Sequence, residues 1–169
     1  METVEVMIAT KWHLIQALSE IGFKVKSLVL SDVRGIFKDY NASFYITGAD
    51  LTTAEIDLCI NPASVETVDT NLFRLISFTG HTIERVSTNH YAVYGDLTIK
   101  GISKRIRFEV EIIKTSSSSW RRNGLGFYVT GTISRKDFGL TGNALLNSNG
   151  IMLSDEVYID CEIELAKKL

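Results

Sequence analysis

Two stretches of the chain alternate strictly between apolar and polar residues, and this pattern constrains the fold more than any other feature. In the stretch from 104 to 112 the apolar positions are Ile106, Phe108, Val110 and Ile112. In the stretch from 156 to 165 they are Val157, Ile159, Cys161, Ile163 and Leu165. Successive side chains of a β-strand point to opposite faces, so each stretch predicts a strand with one buried and one solvated face.

Similar patterns recur along the rest of the chain. We expect strands over 12–15, 19–29, 54–61, 71–86, 91–100 and 125–134. The segment 33–47 is either one long strand or two strands that meet near 39–41, because Asp39 and Asn41 favour a turn. A helical turn is expected at 62–67 and a loop at 143–150, and no segment longer than two turns has a helical period. About eight strands with polar turns predict an antiparallel barrel or sandwich.

Composition limits the classes of function. The 169 residues suit one domain spanning 1–169, and the net charge of −2 gives no general attraction to nucleic acid or to an anionic membrane. No run approaches the ~20 apolar residues of a membrane-spanning helix. Glu2 and Glu5 lie where a secretory signal needs positive charge. We therefore expect a cytoplasmic protein as the sequence stands, or a periplasmic one if a leader has been removed.

The residues that usually carry chemistry are few and dispersed. Cys59 and Cys161 are predicted to be reduced thiols, with Cys161 on the inner face of its strand and Cys59 on the solvated face of its own. The histidines show no metal-ligand spacing. No nucleophile stands in a recognisable catalytic motif, so neither a metal site nor an enzyme is expected. The segment 135–139 predicts a tight corner in which Asp137 bonds nearby backbone and Gly139 supplies the turn.

Two motifs carry a resemblance to a known family. The segment 95–101 reads Gly-Asp-Leu-Thr-Ile-Lys-Gly, and the segment 134–140 reads Ser-Arg-Lys-Asp-Phe-Gly-Leu. In this order and separation they resemble the best-marked motifs of the YceI-like family of bacterial proteins. The resemblance implies a lipocalin-like, up-and-down antiparallel β-barrel with at most one or two short helical turns. It also implies an apolar bore that holds a polyisoprenoid chain, such as a quinone tail.

The chain departs from the family pattern near its N-terminus and in its middle. Trp12, Phe23 and Val25 match, but Ile15 replaces the family's aspartate, and Leu18 and Ser27 replace its two histidines. The family's short helical excursion after position 67 is absent from the sequence. A smaller or less polar ligand head, or a more open mouth of the barrel, would fit these changes.

The resulting hypothesis is that the chain binds a long apolar molecule in its bore and does no chemistry on it. An isoprenoid or fatty acid is the expected ligand, with no cofactor, and exposed strand edges allow a homodimer. The alternative is a filled barrel that serves as a scaffold or protein-interaction module without a small ligand. The residues expected to line the bore are Phe23, Val25, Phe37, Phe44, Phe78, Val93, Phe108, Val110, Phe127 and Phe138.

Overall fold

The computed structural model describes residues 9–27, 32–48, 50–61, 76–113, 124–140 and 153–167. These residues form ten β-strands and two 3-10 turns, and no α-helix occurs among them. The strands are β1 (Ala9–Leu14), β2 (Glu20–Ser27), β3 (Val33–Phe37), β4 (Tyr40–Thr47), β5 (Asp50–Ile60), β6 (Ile76–Ser87), β7 (His90–Ile99), β8 (Ile102–Ile113), β9 (Gly124–Ser134) and β10 (Leu153–Lys167). The 3-10 turns are Gln16–Leu18 and Arg135–Phe138.

The strands close into an antiparallel barrel with eight positions around its wall. β1 and β2 pair with successive parts of β10, and β4 and β3 pair with β1 and β2 respectively. β1 and β2 together therefore form one interrupted strand of the wall, and β3 and β4 form another. β4 then pairs with β5, each later strand pairs with the next, and the β1–β10 ladder closes the ring. The up-and-down, lipocalin-like barrel expected from the sequence is confirmed.

The two interrupted strands break at the same level and are tied together there. The backbone N–H of Glu164 donates to the Ser19 hydroxyl at 2.9 Å, which replaces a missing ladder bond beside the first 3-10 turn. The Tyr40 hydroxyl donates to the Ser19 carbonyl at 3.2 Å, and Gln16 Nε2 donates to the Tyr40 carbonyl at 3.3 Å. These bonds satisfy buried or half-buried backbone groups that the interruption would otherwise leave unpaired.

The Arg135–Phe138 turn covers one end of the barrel. Gly139 ends it at φ 68°, a left-handed conformation that glycine adopts without steric cost, as the sequence predicted. Arg135 is buried and donates to the carbonyls of Ser154 and Leu140 at 2.8 and 3.0 Å. Phe138 is fully buried beneath the turn.

One detail of this turn differs from the prediction. Asp137 is exposed, and the backbone N–H of Lys136 donates instead to Asp155 Oδ1 of β10 at 3.0 Å. Ser134 Oγ donates to the other oxygen of Asp155. The carboxylate that fixes the corner therefore comes from a residue distant in sequence.

The strand boundaries agree with the sequence pattern except at a few ends. The segment 33–47 forms two strands, and β5 begins at Asp50, four residues before the expected start at 54. The expected helical turn at 62–67, the start of the strand at 71–75 and the loop at 143–150 lie outside the described residues.

Candidate functional site

The inward faces of the described strands line two adjoining apolar cavities in the bore, both partly open. The larger has a volume of about 190 Å³ and the smaller about 100 Å³, and we refer to them as the large and small chambers. The large chamber is lined by Leu14, Ile21, Gly22, Phe23, Val25, Phe37, Phe44, Ile56, Leu58, Ile60, Ile76, Ser77, Phe78, Val93, Leu97, Ile99, Phe108, Val110, Val129, Ile133, Leu140, Val157, Ile159, Cys161 and Ile163. The small chamber is lined by Phe44, Ile46, Leu51, Ala54, Ile56, Ile83, Tyr91, Val93, Val110, Phe127, Val129, Ile163 and Leu165.

The chamber walls carry almost no polar chemistry. Ser77 and Cys161 are the side chains with a hydroxyl or thiol in the large chamber, and Tyr91 is the one with a hydroxyl in the small chamber, among the residues that the structure describes. Burial raises the pKa of the Cys161 thiol to about 12, so the thiol is neutral at physiological pH. The bore can therefore bury hydrocarbon but has no charged group with which to hold an ionised head.

Inward-facing glycines make room for the aromatic rings of the large chamber. A Cβ atom at Gly95 would lie 2.5 Å from the Phe78 ring, and one at Gly131 would lie 2.5 Å from the Phe108 ring. The two phenylalanine rings pack edge to face, with centroids 5.2 Å apart. Each ring thus occupies space that a side chain on the neighbouring strand would fill. Strand alternation alone does not predict this role for either glycine.

Nine of the ten residues expected in the bore line a chamber. Phe127 lies in the small chamber, and the other eight line the large one, three of them on the boundary between the two. Phe138 lines neither chamber, because it belongs to the turn that covers the barrel end. The prediction concentrated on phenylalanines and passed over aliphatic wall residues such as Ile56, Val129 and Ile133, whose positions follow from the same strand alternation.

The positions that depart from the family pattern line neither chamber. Ile15 precedes the first 3-10 turn and Leu18 is its last residue. Leu18 is 41% exposed, and neither residue lines a cavity. Ser27 is the last residue of β2. The substitutions at 15 and 18 therefore leave the wall of the bore unchanged.

Pairs of ionisable side chains lie on the outer face of the barrel, on β6, β7 and β8. His90 Nε2 lies 2.6 Å from Glu109 Oε2, and Arg107 Nε donates to the other oxygen of Glu109 at 2.7 Å. His81 Nε2 lies 2.7 Å from Asp96 Oδ2 in a similar pair. The hydrogen bond from His90 is the main reason that the pKa of Glu109 is lowered. The sequence spacing did not indicate these pairs, because strand register brings the partners together.

Metal ligation and membrane crossing are two further possibilities for such a chain. Within the described ranges, no cluster of three or more His, Cys, Asp or Glu side chains is placed to hold a metal ion. In the same part of the chain, no helix has the length and apolar character needed to cross a bilayer.

Comparisons with known proteins agree with this architecture. The YceI-like domain model matches residues 12–165. UPF0312 protein SERP2314 from Staphylococcus epidermidis is 32% identical, over 93% of this chain and 98% of that protein. The crystal structure of Burkholderia cenocepacia BcnA superimposes with a TM-score of 0.73 at 21% identity, covering 89% of this chain and 98% of that one. A polyisoprenoid binding domain from Saccharophagus degradans gives a TM-score of 0.65 at 15% identity, covering 93% and 98%. The chain belongs to the YceI-like family.

Proposed function

We propose that this protein binds a long apolar molecule, such as an isoprenoid, a quinone tail or a fatty chain, in the bore of its barrel. The observation that carries the proposal is the pair of adjoining chambers whose walls are almost wholly hydrocarbon. The large chamber, at about 190 Å³, exceeds the ~150 Å³ of an apolar cavity that stays dry and binds benzene. Such a space favours an apolar ligand over water.

Burial of hydrocarbon would supply the affinity. Each methylene transferred from water to the bore contributes about 0.8 kcal/mol, less the cost of ordering the tail. An ionised head inside the bore would lose its hydration without a charged partner, at a cost of several kcal/mol. The ligand therefore enters by its apolar end and keeps its polar head at the mouth of the barrel.

The composition of the chamber walls favours binding of the ligand without catalysis. General acid–base or nucleophilic catalysis needs a group whose pKa lies near the working pH and which reaches the substrate. The Cys161 thiol, with its pKa near 12, does not ionise under those conditions. The paired histidines and carboxylates lie on the outer face of the sheet, away from either chamber.

The relatives support the proposal at the level of architecture. The Saccharophagus degradans neighbour is a polyisoprenoid binding domain, and it shares the fold at 15% identity. The support for an apolar ligand in the present protein therefore comes chiefly from its own chamber walls. The two adjoining chambers favour a carrier over a filled barrel that acts only as a scaffold.

Native mass spectrometry of the purified protein tests the proposal. We expect one or more discrete adducts that disappear on denaturation and are recovered as apolar molecules by organic extraction. A variant with the exposed Cys59 changed to serine serves as a control against covalent thiol adducts. An apo mass that takes up neither added isoprenoid quinone nor added fatty acid would contradict the proposal and favour the scaffold.

A further inference from the structure

The side chains that line both chambers lie at the boundary between them. On β7, Tyr91 lines the small chamber, Val93 lines both, and Leu97 lines the large one. On β10, Leu165, Ile163 and Cys161 follow the same order. Six strands each contribute one residue that lines both chambers, and we call these residues the waist: Phe44, Ile56, Val93, Val110, Val129 and Ile163.

The waist is built to be stiff. Five of its six members are valine or isoleucine, whose branched Cβ restricts the side chain to few rotamers. All six lie within strands that are paired on both sides, with Phe44 opposite Ile56 and Val110 opposite Val129. A hydrocarbon tail that passes from one chamber to the other therefore runs between side chains of limited rotamer freedom, carried on strands with neighbours on both sides.

The chamber volumes set how much hydrocarbon each side of the waist can hold. An apolar cavity of ~150 Å³ accommodates the six carbons of benzene, or about 25 Å³ for each carbon. On that scale the large chamber, of about 190 Å³, takes about eight carbons. The small chamber, of about 100 Å³, takes about four more.

We infer that the waist and the two chambers measure the length of the bound tail, and that the protein selects tails of about twelve carbons. This inference rests on the proposed function and narrows it. Tails up to about eight carbons gain affinity within the large chamber alone, and longer ones gain more only by passing the waist. Carbons beyond about twelve remain outside and add nothing.

A homologous series of n-alkan-1-ols from hexanol to hexadecanol tests the inference by isothermal titration calorimetry. Each methylene that enters the bore should strengthen binding by about fourfold. The affinity of the unmodified protein should therefore rise to about dodecanol and then level off. A steady rise through hexadecanol would overturn the inference while leaving the proposed function intact. Failure of every alcohol to bind would overturn both.

Narrowing the waist should shorten the tail that the protein accepts. Val110→Phe should move the plateau from about twelve to about eight carbons and should weaken dodecanol binding on the order of 100-fold more than octanol binding. Val86→Phe is the matched control, because Val86 is 57% exposed on β6, and it should keep the plateau of the unmodified protein.

The outcome does not depend on one variant. If Val110→Phe does not give a folded protein by circular dichroism, the milder Val129→Leu at the same waist should still weaken dodecanol more than octanol. Equal effects on both alcohols, or a plateau that stays near twelve carbons in a folded waist variant, would overturn the inference.

Discussion

Asp155 supplies the carboxylate that fixes the turn over one end of the barrel. It accepts hydrogen bonds from Ser134 Oγ and from the backbone N–H of Lys136, so it joins β10 to the turn over the barrel end. The bond from Ser134 is the leading cause of the lowered pKa of Asp155, with the Lys136 backbone and the nearby cations adding to it. The ionised form is therefore preferred in the folded protein.

This preference predicts a stability that depends on pH. A carboxyl whose pKa is lowered by folding stabilises the native state above its unfolded pKa of about 3.9, and that contribution disappears as the pH falls through the folded pKa. Asp155→Asn should lower the free energy of unfolding by about 1 kcal/mol at pH 7, since this residue is only half-buried. The difference between the two proteins should shrink below about pH 4. Urea denaturation at a series of pH values measures it.

Asp137→Asn provides the matched control in the same turn. Asp137 is exposed, so its substitution should leave the unfolding free energy unchanged within about 0.5 kcal/mol at every pH. An equal loss of stability in both variants would assign the effect to the general charge of the turn. That result would contradict the specific role of Asp155.

At the scale of the strands, neighbouring residues on β9 meet opposite environments. Phe127 is 9% exposed and lines the small chamber, whereas Tyr128 is 44% exposed on the outer face. Phe127→Asp should cost about 3–5 kcal/mol, because it removes a buried ring and leaves an unpaired carboxylate in an apolar wall. Tyr128→Asp should cost about 1 kcal/mol or less.

Thermal and chemical denaturation of the two variants checks this assignment of faces. Similar stabilities for Phe127→Asp and Tyr128→Asp would show that β9 does not present Phe127 to the interior. Because the two positions are adjacent and each variant gains one aspartate, strand length and overall charge cannot account for a difference in stability between the variants.

The strands that the sequence predicted best are those with unbroken alternation. β10 keeps one buried and one solvated face from Glu156 to Leu165, and β8 places its more buried side chains at alternate positions from Ile106 onward, after four exposed residues. The existence and inward residues of both strands therefore followed from period two alone. β5 was predicted too short because Thr52 and Thr53 are successive exposed residues, which interrupts its alternation. Pairing across the sheet also escaped prediction: register places His90 beside Glu109 and Asp155 beside Lys136, and neither follows from spacing along the chain.

At the scale of the whole molecule, the barrel follows from pattern and resemblance, but the shape of its interior does not. Strand alternation identifies which side chains point inward, yet it does not say whether they meet or leave space. Here the space depends on Gly95 and Gly131, which let the Phe78 and Phe108 rings lie against neighbouring strands. It also depends on Phe138, which covers one end instead of lining the wall. These are relations between strands, and they become visible only in three dimensions.

The most direct test of the account is where an apolar ligand contacts the protein. In a sample labelled with ¹³C at Ile, Leu and Val methyl groups, dodecan-1-ol should shift the methyl resonances of Val93, Val110 and Val129, which line both chambers. The exposed methyl groups of Ile36 and Val86 should keep their positions and serve as internal controls. Shifts confined to the exposed methyl groups, or no shifts at saturating alcohol, would contradict the claim that the bore of this barrel is a binding site.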